Sequence, residues 1–429
     1  MLLLDRGEKN ARIRGSEGVP IFPESAMSLS DQDRAFLELA LRRNLLTREN
    51  ADKVEARLRD EAGRNVLRSA AEVAIEERVL SERDAIRIDQ DLWIQALPSQ
   101  LGDYRLVRLL GRGGMAAVFE GRDLTVDKPV AIKVLLPRFT QDTACLTRFR
   151  REATLAAKPS HPNTVQVYHY GVHGDTHFIV MEYVDGQSVS SMIRSQGPFG
   201  EVEALDIAIP VARSLAEAHE YGIIHRDVKP SNIRISKWGV VKLMDFGIAK
   251  LRGPFGGPEA HRSVTLGVVG TPHYLSPEVA RGGKDYNSRT DMYSLGATMY
   301  HMFTGEPPYE GEDPLDVLRK IVEGAPPDLH FKRPDLSQKT CAIVLRMMAR
   351  DPEKRYESFA ELIGAMEEAR KQVVETEQET TAVDLADLPE ETIERPARRD
   401  WLRTVGTAAI VVAIGLILCA LAIGLRGCG

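Results

Sequence analysis

The chain has 429 residues, of which 28% are charged and 43% hydrophobic, and its formal net charge is −6. This length predicts two or three folded units, and the composition is ordinary for a globular protein. The negative charge gives no support for nucleic-acid binding, and four scattered cysteines argue against a disulfide framework or a zinc site.

The N-terminal quarter of the chain predicts a disordered segment followed by a small helical domain. Residues 1–29 are polar and interrupted by glycine and proline, and either Met1 or Met27 is a candidate start. Residues 30–97 contain no proline and one glycine. Thr47 and Ser81 occupy matching positions in two similar stretches there and are candidate helix N-caps, because a hydroxyl accepts an otherwise unpaired backbone N–H. The domain is either a helical bundle of unknown role or a docking or regulatory module.

A glycine-rich sequence opens the central unit, residues 103–368. Gly111 and Gly113 allow the backbone to approach phosphate oxygens closely. Strand-like sequence on both sides predicts a β-hairpin, whereas a dinucleotide-binding loop requires a helix directly after its glycines. The third glycine of the usual pattern is replaced by Ala116, the smallest substitution available.

A lysine and a glutamate in the next segments are a predicted ion pair. Lys133 ends the apolar run Val130-Ala131-Ile132, where an ammonium group requires a partner. Glu152 has Phe149 and Ala156 as helical neighbours, which predicts an inward-facing carboxylate. The alternative is a solvated glutamate on a charged helix.

Two further motifs supply the groups that phosphoryl transfer requires. His225-Arg226-Asp227 is followed by Asn232 in an H-R-D-x-x-x-x-N pattern, and Asp245-Phe246-Gly247 follows it. Asp227 is the candidate base for a substrate hydroxyl, whereas Asn232 and Asp245 offer the hard oxygen ligands that Mg²⁺ prefers.

Taken together, these motifs resemble those of bacterial eukaryotic-like serine/threonine protein kinases over residues 103–368. The resemblance implies an α+β, bilobal protein-kinase fold with a small β-rich N-lobe and a larger helical C-lobe. A helical domain precedes this fold, and a linker and one transmembrane helix follow it.

The resemblance also implies a complete active site that uses ATP with Mg²⁺ or Mn²⁺. The implied catalytic residues are Asp227, Lys229, Lys133 and Glu152. The implied nucleotide-binding residues are Gly111, Arg112, Gly113, Gly114, Ala116, Val118, Ala131, Lys133, Met181, Glu182, Val184, Asn232 and Asp245. Among these, Met181 corresponds to the gatekeeper, and the backbone of Glu182 and Val184 would bind the purine.

Several residues are implied to regulate or support this site. Arg226 beside the catalytic aspartate implies control by phosphorylation of the activation loop. The candidate autophosphorylation sites are Ser263 and Thr265. The implied structural residues are Thr271, which braces the catalytic loop, Asp291, which anchors it, and the pair Glu278 and Arg355.

The C-terminal part predicts a linker and a membrane anchor. Residues 369–400 are acidic and poor in large apolar side chains, which predicts a flexible linker. Residues 405–425 carry no charge and would span about 30 Å as a helix, the thickness of a bilayer core. Arginines precede this run, so the kinase domain is predicted to be cytoplasmic, with residues 426–429 outside.

The partners implied are protein substrates and membrane lipid. Thr380 and Thr381 resemble a threonine motif bound by phosphothreonine-reading domains, although an ordinary solvated charge run is the alternative. Ala409 and Ala413 are small residues four apart, which permits a homodimer through the membrane helix.

The sequence therefore predicts an ATP-dependent serine/threonine kinase in bacterial membrane signalling. The alternative is a pseudokinase scaffold that binds nucleotide and recruits partners through the helical domain.

Overall fold

The computed structural model describes residues 29–64, 66, 68–246, 272–283 and 286–386. The described residues fall into two units that divide after Arg370. Several predictions concern residues outside the described ranges. They are the N-terminal segment before residue 29, the candidate phosphosites Ser263 and Thr265, Thr271, and the apolar run 405–425.

The predicted helical domain consists of four helices, α1 (Asp31–Arg42), α2 (Arg48–Gly63), α3 (Ala70–Glu76) and α4 (Glu82–Ala96). Both predicted N-caps are confirmed, because Thr47 Oγ1 accepts from Asn50 N at 3.2 Å and Ser81 Oγ accepts from Asp84 N at 3.1 Å. The helices bury one apolar face each, and these faces form a common core that includes Phe36, Leu37, Val54, Val73 and Ile88.

The small lobe is an antiparallel sheet with one helix. Its strands are β1 (Gln100–Leu101), β2 (Tyr104–Arg112), β3 (Ala116–Asp123), β4 (Lys128–Leu135), β5 (Val167–His173) and β6 (Thr176–Glu182), in the order β1-β2-β3-β4-β6-β5. Helix α5 (Thr143–Ala156) lies between β4 and β5 in the chain. The register pairs Lys133 with Val118 on one side and with Ile179 on the other, so the lysine lies in the interior of the sheet.

The large lobe is helical, with one small sheet near the small lobe. The strands of that sheet are β7 (Gly186–Ser188), β8 (Ile233–Ser236) and β9 (Val241–Leu243). The helices are α6 (Val189–Gln196), α7 (Glu201–Glu220), α8 (Pro277–Ala280), α9 (Ser288–Thr304), α10 (Pro314–Glu323), α11 (Leu329–Lys332), α12 (Gln338–Met347) and α13 (Phe359–Ala386). Helices α7 and α9 are buried on most sides, and the catalytic loop between α7 and β8 is held against them. The predicted β-rich and helical lobes are thus both present.

The structure describes only the first part of the predicted linker. Helix α13 continues to Ala386, so residues 369–386 are helical. The physical reason is that this stretch is rich in alanine, glutamate and glutamine and contains no glycine or proline before Pro389. Residues 387–400 lie outside the described ranges, and the flexible linker there stays a prediction.

Within the described ranges, none of the helices is long and apolar enough to cross a membrane. The predicted anchor at residues 405–425 lies outside those ranges.

Candidate active site

The glycine-rich sequence forms the predicted β-hairpin. Strands β2 and β3 pair with Gly111 opposite Val118, and Gly113 N donates to Ala116 O at 2.8 Å across the turn. A Cβ atom added to Gly113 would lie 3.2 Å from that carbonyl oxygen, so a side chain would crowd the turn. Ala116, the first residue of β3, is buried and belongs to the apolar core of the small lobe. The alanine that replaces the usual third glycine is therefore accommodated.

The predicted ion pair between Lys133 and Glu152 is present. Lys133 Nζ lies 2.6 Å from Glu152 Oε1 and 3.2 Å from Asp245 Oδ1. Glu152 faces inward from α5 together with Phe149 and Ala156, and all three are buried. The inward apolar stripe of this helix, which the sequence predicted, thus places a carboxylate beside the strand lysine.

Electrostatics keeps Lys133 positively charged. Burial alone would lower the pKa of the ammonium group, but the carboxylates of Asp245 and Glu152 outweigh burial and raise it. Burial and the nearby charge of Asp245 raise the pKa of Glu152, although Lys133 opposes both. The lysine thus remains a fixed cation in the cleft.

Asp291 anchors the catalytic loop, as the sequence predicted. Its buried carboxylate accepts hydrogen bonds from His225 N and Arg226 N, both at 2.8 Å. Arg226 has φ of +66°, a left-handed conformation that is costly for a residue with a side chain. These two hydrogen bonds help to hold that conformation and orient the next residue, Asp227.

His219, which belongs to none of the sequence motifs, also contacts Asp291. Its Nε2 lies 2.8 Å from Asp291 Oδ2, so two elements of the large lobe hold the same carboxylate. The available signal was a histidine at the end of the long apolar helix α7, four residues after the buried Leu215.

The candidate base Asp227 lies in a network of charged and polar groups. Lys229 Nζ is 2.9 Å from Asp227 Oδ2, and Asn232 Nδ2 donates to the same oxygen at 3.0 Å. Asn232 Nδ2 also donates to the Asp227 carbonyl at 2.9 Å. Since the amide nitrogen is used in this way, the amide oxygen of Asn232 is turned away from Asp227.

Asn232 and Asp245 fit a divalent cation. Met244 N donates to Asn232 O at 2.8 Å, which places Asp245 directly beside the catalytic loop. Asp245 has φ of +50°, a strained conformation that points to a functional constraint. The amide and carboxylate oxygens are hard ligands of the type that Mg²⁺ and Mn²⁺ accept.

The charges in the cleft also suit a cation. Glu152, Asp227 and Asp245 contribute three carboxylates, whereas Lys133 and Lys229 contribute two ammonium groups. These five side chains therefore carry one excess negative charge, which a bound metal ion would offset.

The predicted purine-binding segment includes the end of strand β6 and the residues just after it. Met181 is buried and pairs with Ala131 of β4 in the sheet, and Val184 is buried just beyond the strand. The N–H of Glu182 donates to Gln166 O at 2.8 Å, so a purine contact from Glu182 would have to use its carbonyl oxygen. The side chain of Glu182 pairs with Lys242 of β9 at 2.7 Å, which ties this segment to the large lobe.

Glu278 and Arg355 form the predicted structural pair. The two terminal nitrogens of Arg355, Nη1 and Nη2, each donate to one carboxylate oxygen of Glu278 at 2.8 Å, and the arginine side chain is fully buried. This bidentate contact fixes α8, which follows the activation segment, to the end of the large lobe.

Comparisons with known proteins agree with this geometry. The chain matches the protein kinase domain family over residues 104–367, a match that begins after the helical domain. The serine/threonine-protein kinase PknB of Mycobacterium tuberculosis is 42% identical over 270 residues, which are 62% of this chain and 42% of that protein. PrkC of Bacillus subtilis, also a serine/threonine-protein kinase, is 38% identical over 265 residues, which are 61% of this chain and 39% of that protein.

A solved structure shows the same architecture. The kinase domain of Mycobacterium tuberculosis PknI has a TM-score of 0.50 and 30% sequence identity, and the alignment covers 64% of this chain and 99% of that chain. The chain spans less than half of the length of PknB and PrkC.

Proposed function

Because the chain belongs to the protein kinase family, we propose that it is an ATP-dependent serine/threonine kinase that phosphorylates protein substrates. The observation that carries this proposal is the convergence of five side chains from four separate segments into one cleft. These residues are Lys133, Glu152, Asp227, Asn232 and Asp245.

Each residue has a distinct part in the proposed reaction. Asp227 orients the substrate hydroxyl and accepts its proton, and Lys229 beside it stabilises negative charge on the transferred phosphoryl group. Lys133 binds phosphate oxygens of ATP, and Glu152 holds the lysine in position.

Asn232 and Asp245 would hold the metal ion. Magnesium, or manganese in its place, would neutralise the charge of the β- and γ-phosphates when bound. The glycine-rich hairpin would cover the phosphates, and Ala131 and Val118, which lie in adjacent strands, would flank the purine.

A pseudokinase scaffold is the competing function. It would bind nucleotide in the same cleft but would not transfer phosphate. The decisive experiment incubates the purified full chain with Mg²⁺, γ-labelled ATP and a generic protein substrate. Transfer of label that is lost in Asp227→Asn supports the kinase, whereas nucleotide binding without transfer supports the scaffold.

We also propose that phosphorylation of the activation loop controls the enzyme. Arg226 is half-buried, and its Nε and Nη1 atoms lack a hydrogen-bond partner among the described residues. Such a guanidinium is suited to bind a phosphate group. Ser263 and Thr265 are the proposed phosphorylation sites.

The membrane anchor remains a proposal from the sequence alone. Residues 405–425 carry no charge and are preceded by arginines, which favours a single-pass helix with the kinase domain in the cytoplasm. The small residues Ala409 and Ala413 would permit a homodimer through this helix. Comparing the oligomeric state in detergent with and without an Ala409→Leu change would test the dimer.

A phosphothreonine-reading domain is a further proposed partner. Thr380 and Thr381 lie in acidic sequence near the end of α13. Mass spectrometry of autophosphorylated protein that shows no phosphate on either threonine would contradict this proposal.

A further inference from the structure

The helical domain lies before the residues that match the kinase family, and it directly contacts the glycine-rich hairpin. Helix α4 contributes Asp91, whose carboxylate is only 3% exposed. One oxygen of this carboxylate forms an ion pair with Arg112, at the end of β2 in the hairpin. The other oxygen forms an ion pair with Arg43, at the end of α1. Asp91 therefore joins the hairpin to the helical domain.

Two further hydrogen bonds restrain the tip of the hairpin. Gln90 Nε2, next to Asp91 on α4, lies 3.5 Å from Gly113 O. Arg138 Nη2, just after β4, donates to Gly114 O at 2.7 Å. Because a trans peptide directs its C=O and N–H to opposite sides, these contacts orient the N–H groups of Gly114 and Met115 away from Gln90 and Arg138.

Helix α4 is firmly attached to the small lobe, so it can serve as a fixed support. Trp93, Ile94 and Leu97 pack against a buried cluster of the small-lobe sheet that includes Phe119 and Phe178. The helical domain, which belongs to the same compact unit as the small lobe, thus restrains the hairpin.

We propose that Asp91 is a positioning residue for ATP, which holds the glycine-rich hairpin through Arg112 in the conformation that receives the triphosphate. The helical domain is then part of the nucleotide site. This inference rests on the proposed kinase function, because it takes ATP as the ligand that the hairpin binds.

The burial of Asp91 supports this assignment. A carboxylate that is almost fully buried requires cationic partners, and here one partner comes from each domain. Removing the carboxylate would release Arg112 and leave the hairpin free to sample other conformations. The expected consequence is weaker binding of nucleotide with little change in the chemical step, because the ion-pair partners Arg112 and Arg43 both lie outside the catalytic loop.

The test measures the KM for ATP, kcat and the KM for a protein substrate in the full chain. We expect Asp91→Asn and Arg112→Met each to raise the KM for ATP by about five- to tenfold, within the range of coupling between residues in contact. The double variant should show no additional increase, because both changes remove the same contact. The matched control Glu38→Gln removes an exposed ion pair with Arg42 on α1 and should leave all three constants unchanged.

The Kd for Mg·ADP, measured by calorimetry, separates this proposal from the proposed function. If the wild-type chain transfers no phosphate, the kinase proposal fails, but a rise in this Kd in both single variants would still support positioning by Asp91. Arg112→Met lies at a partly exposed position, so it remains informative if Asp91→Asn does not fold. An unchanged or lower Kd and KM in folded Arg112→Met, or additive effects in the double variant, would overturn the inference.

Discussion

Lys133 Nζ lies 2.6 Å from Glu152 Oε1, and this contact joins strand β4 to helix α5 across the small lobe. The same ammonium group lies 3.2 Å from Asp245 Oδ1, just beyond β9 in the large lobe. One cation therefore connects two successive elements of the small lobe to a residue that is 112 positions further along the chain. We expect productive binding of ATP to require all three in position.

The first prediction concerns this cation. We expect Lys133→Met to lower the rate of phosphoryl transfer by about 10²-fold or more, because two buried carboxylates lose their partner and the phosphates lose a contact. The rate is measured with saturating Mg²⁺ and labelled ATP. Lys332→Met is the matched control, since Lys332 forms a comparable 2.7 Å pair with Glu306 on the surface of the large lobe. Equal rates in both variants would refute the role of Lys133.

The second prediction concerns the base. Asp227→Asn should lower kcat by about 10²-fold or more, because an amide cannot accept the hydroxyl proton. The affinity for Mg·ADP should change little, since Asp227 contacts Lys229 and Asn232 and is not proposed as a metal ligand. Asp206→Asn, which removes an exposed pair with Arg370, is the control. Normal phosphorylation by the Asp227→Asn protein would count against the whole assignment.

The relative placement of the candidate catalytic residues could be predicted from the sequence, because the chemistry fixes both residue types and spacing. Asp227 and Asn232 must lie on one short loop, and a buried lysine such as Lys133 requires a carboxylate on the neighbouring helix. Both constraints are visible in a single chain, and the structure places these residues in contact.

Contacts between domains could not be predicted in the same way. Asp91 lies on a helix with several other acidic residues, and no local pattern distinguishes the buried one that reaches Arg112. Long-range packing decides this contact. The extent of helix α13 over residues 369–386 instead follows from local helix propensity, which an acidic composition does not cancel.

The third prediction concerns stability. Glu278→Gln should lower the free energy of unfolding by about 3 kcal/mol, because it leaves the guanidinium of Arg355 buried without its ionic partner. Urea denaturation followed by circular dichroism measures this change. The control is Glu353→Gln, which breaks a largely exposed pair with Arg289 and should cost no more than about 1 kcal/mol. Similar losses in the two variants would show that burial of the pair is unimportant.

The same pair also predicts a dependence on pH. Burial raises the pKa of Glu278, but the guanidinium of Arg355 outweighs burial, so the pKa lies below its usual value. A lowered carboxyl pKa stabilises the fold above the unfolded pKa of about 4.3, and this stabilisation is lost as the pH falls through the folded pKa. The difference between the wild type and Glu278→Gln should therefore shrink below about pH 4. A constant difference from pH 7 to pH 3 would contradict this.

The fourth prediction concerns the proposed anchor. Deleting the chain after Arg399 removes the uncharged run 405–425 and should move the protein from the membrane fraction to the soluble fraction of lysed cells. Placing two arginines at Val412 and Leu416 in the full chain is a second variant with the same expected result, since charge at the centre of the bilayer opposes insertion. Recovery of the full chain in the soluble fraction would disprove the anchor.

The last prediction concerns activation-loop phosphorylation. The ring of Tyr286 lies 4.6 Å from the guanidinium carbon of Arg226, and burial lowers the pKa of that guanidinium. A phosphate on Ser263 or Thr265 would supply the charge-assisted hydrogen bonds that Arg226 Nε and Nη1 do not make within the described part of the chain. We therefore expect the double variant Ser263→Ala and Thr265→Ala to lose activity on the order of tenfold.

Phosphatase treatment separates this mechanism from a simple loss of structure. It should lower the activity of the wild type to that of the double variant and should leave the double variant unchanged. Arg226→Met should have low activity that no longer responds to phosphatase, because the group that reads the phosphate is absent. If phosphatase still lowers the activity of Arg226→Met, the phosphate acts through another residue, and the proposed link between Arg226 and the activation loop is wrong.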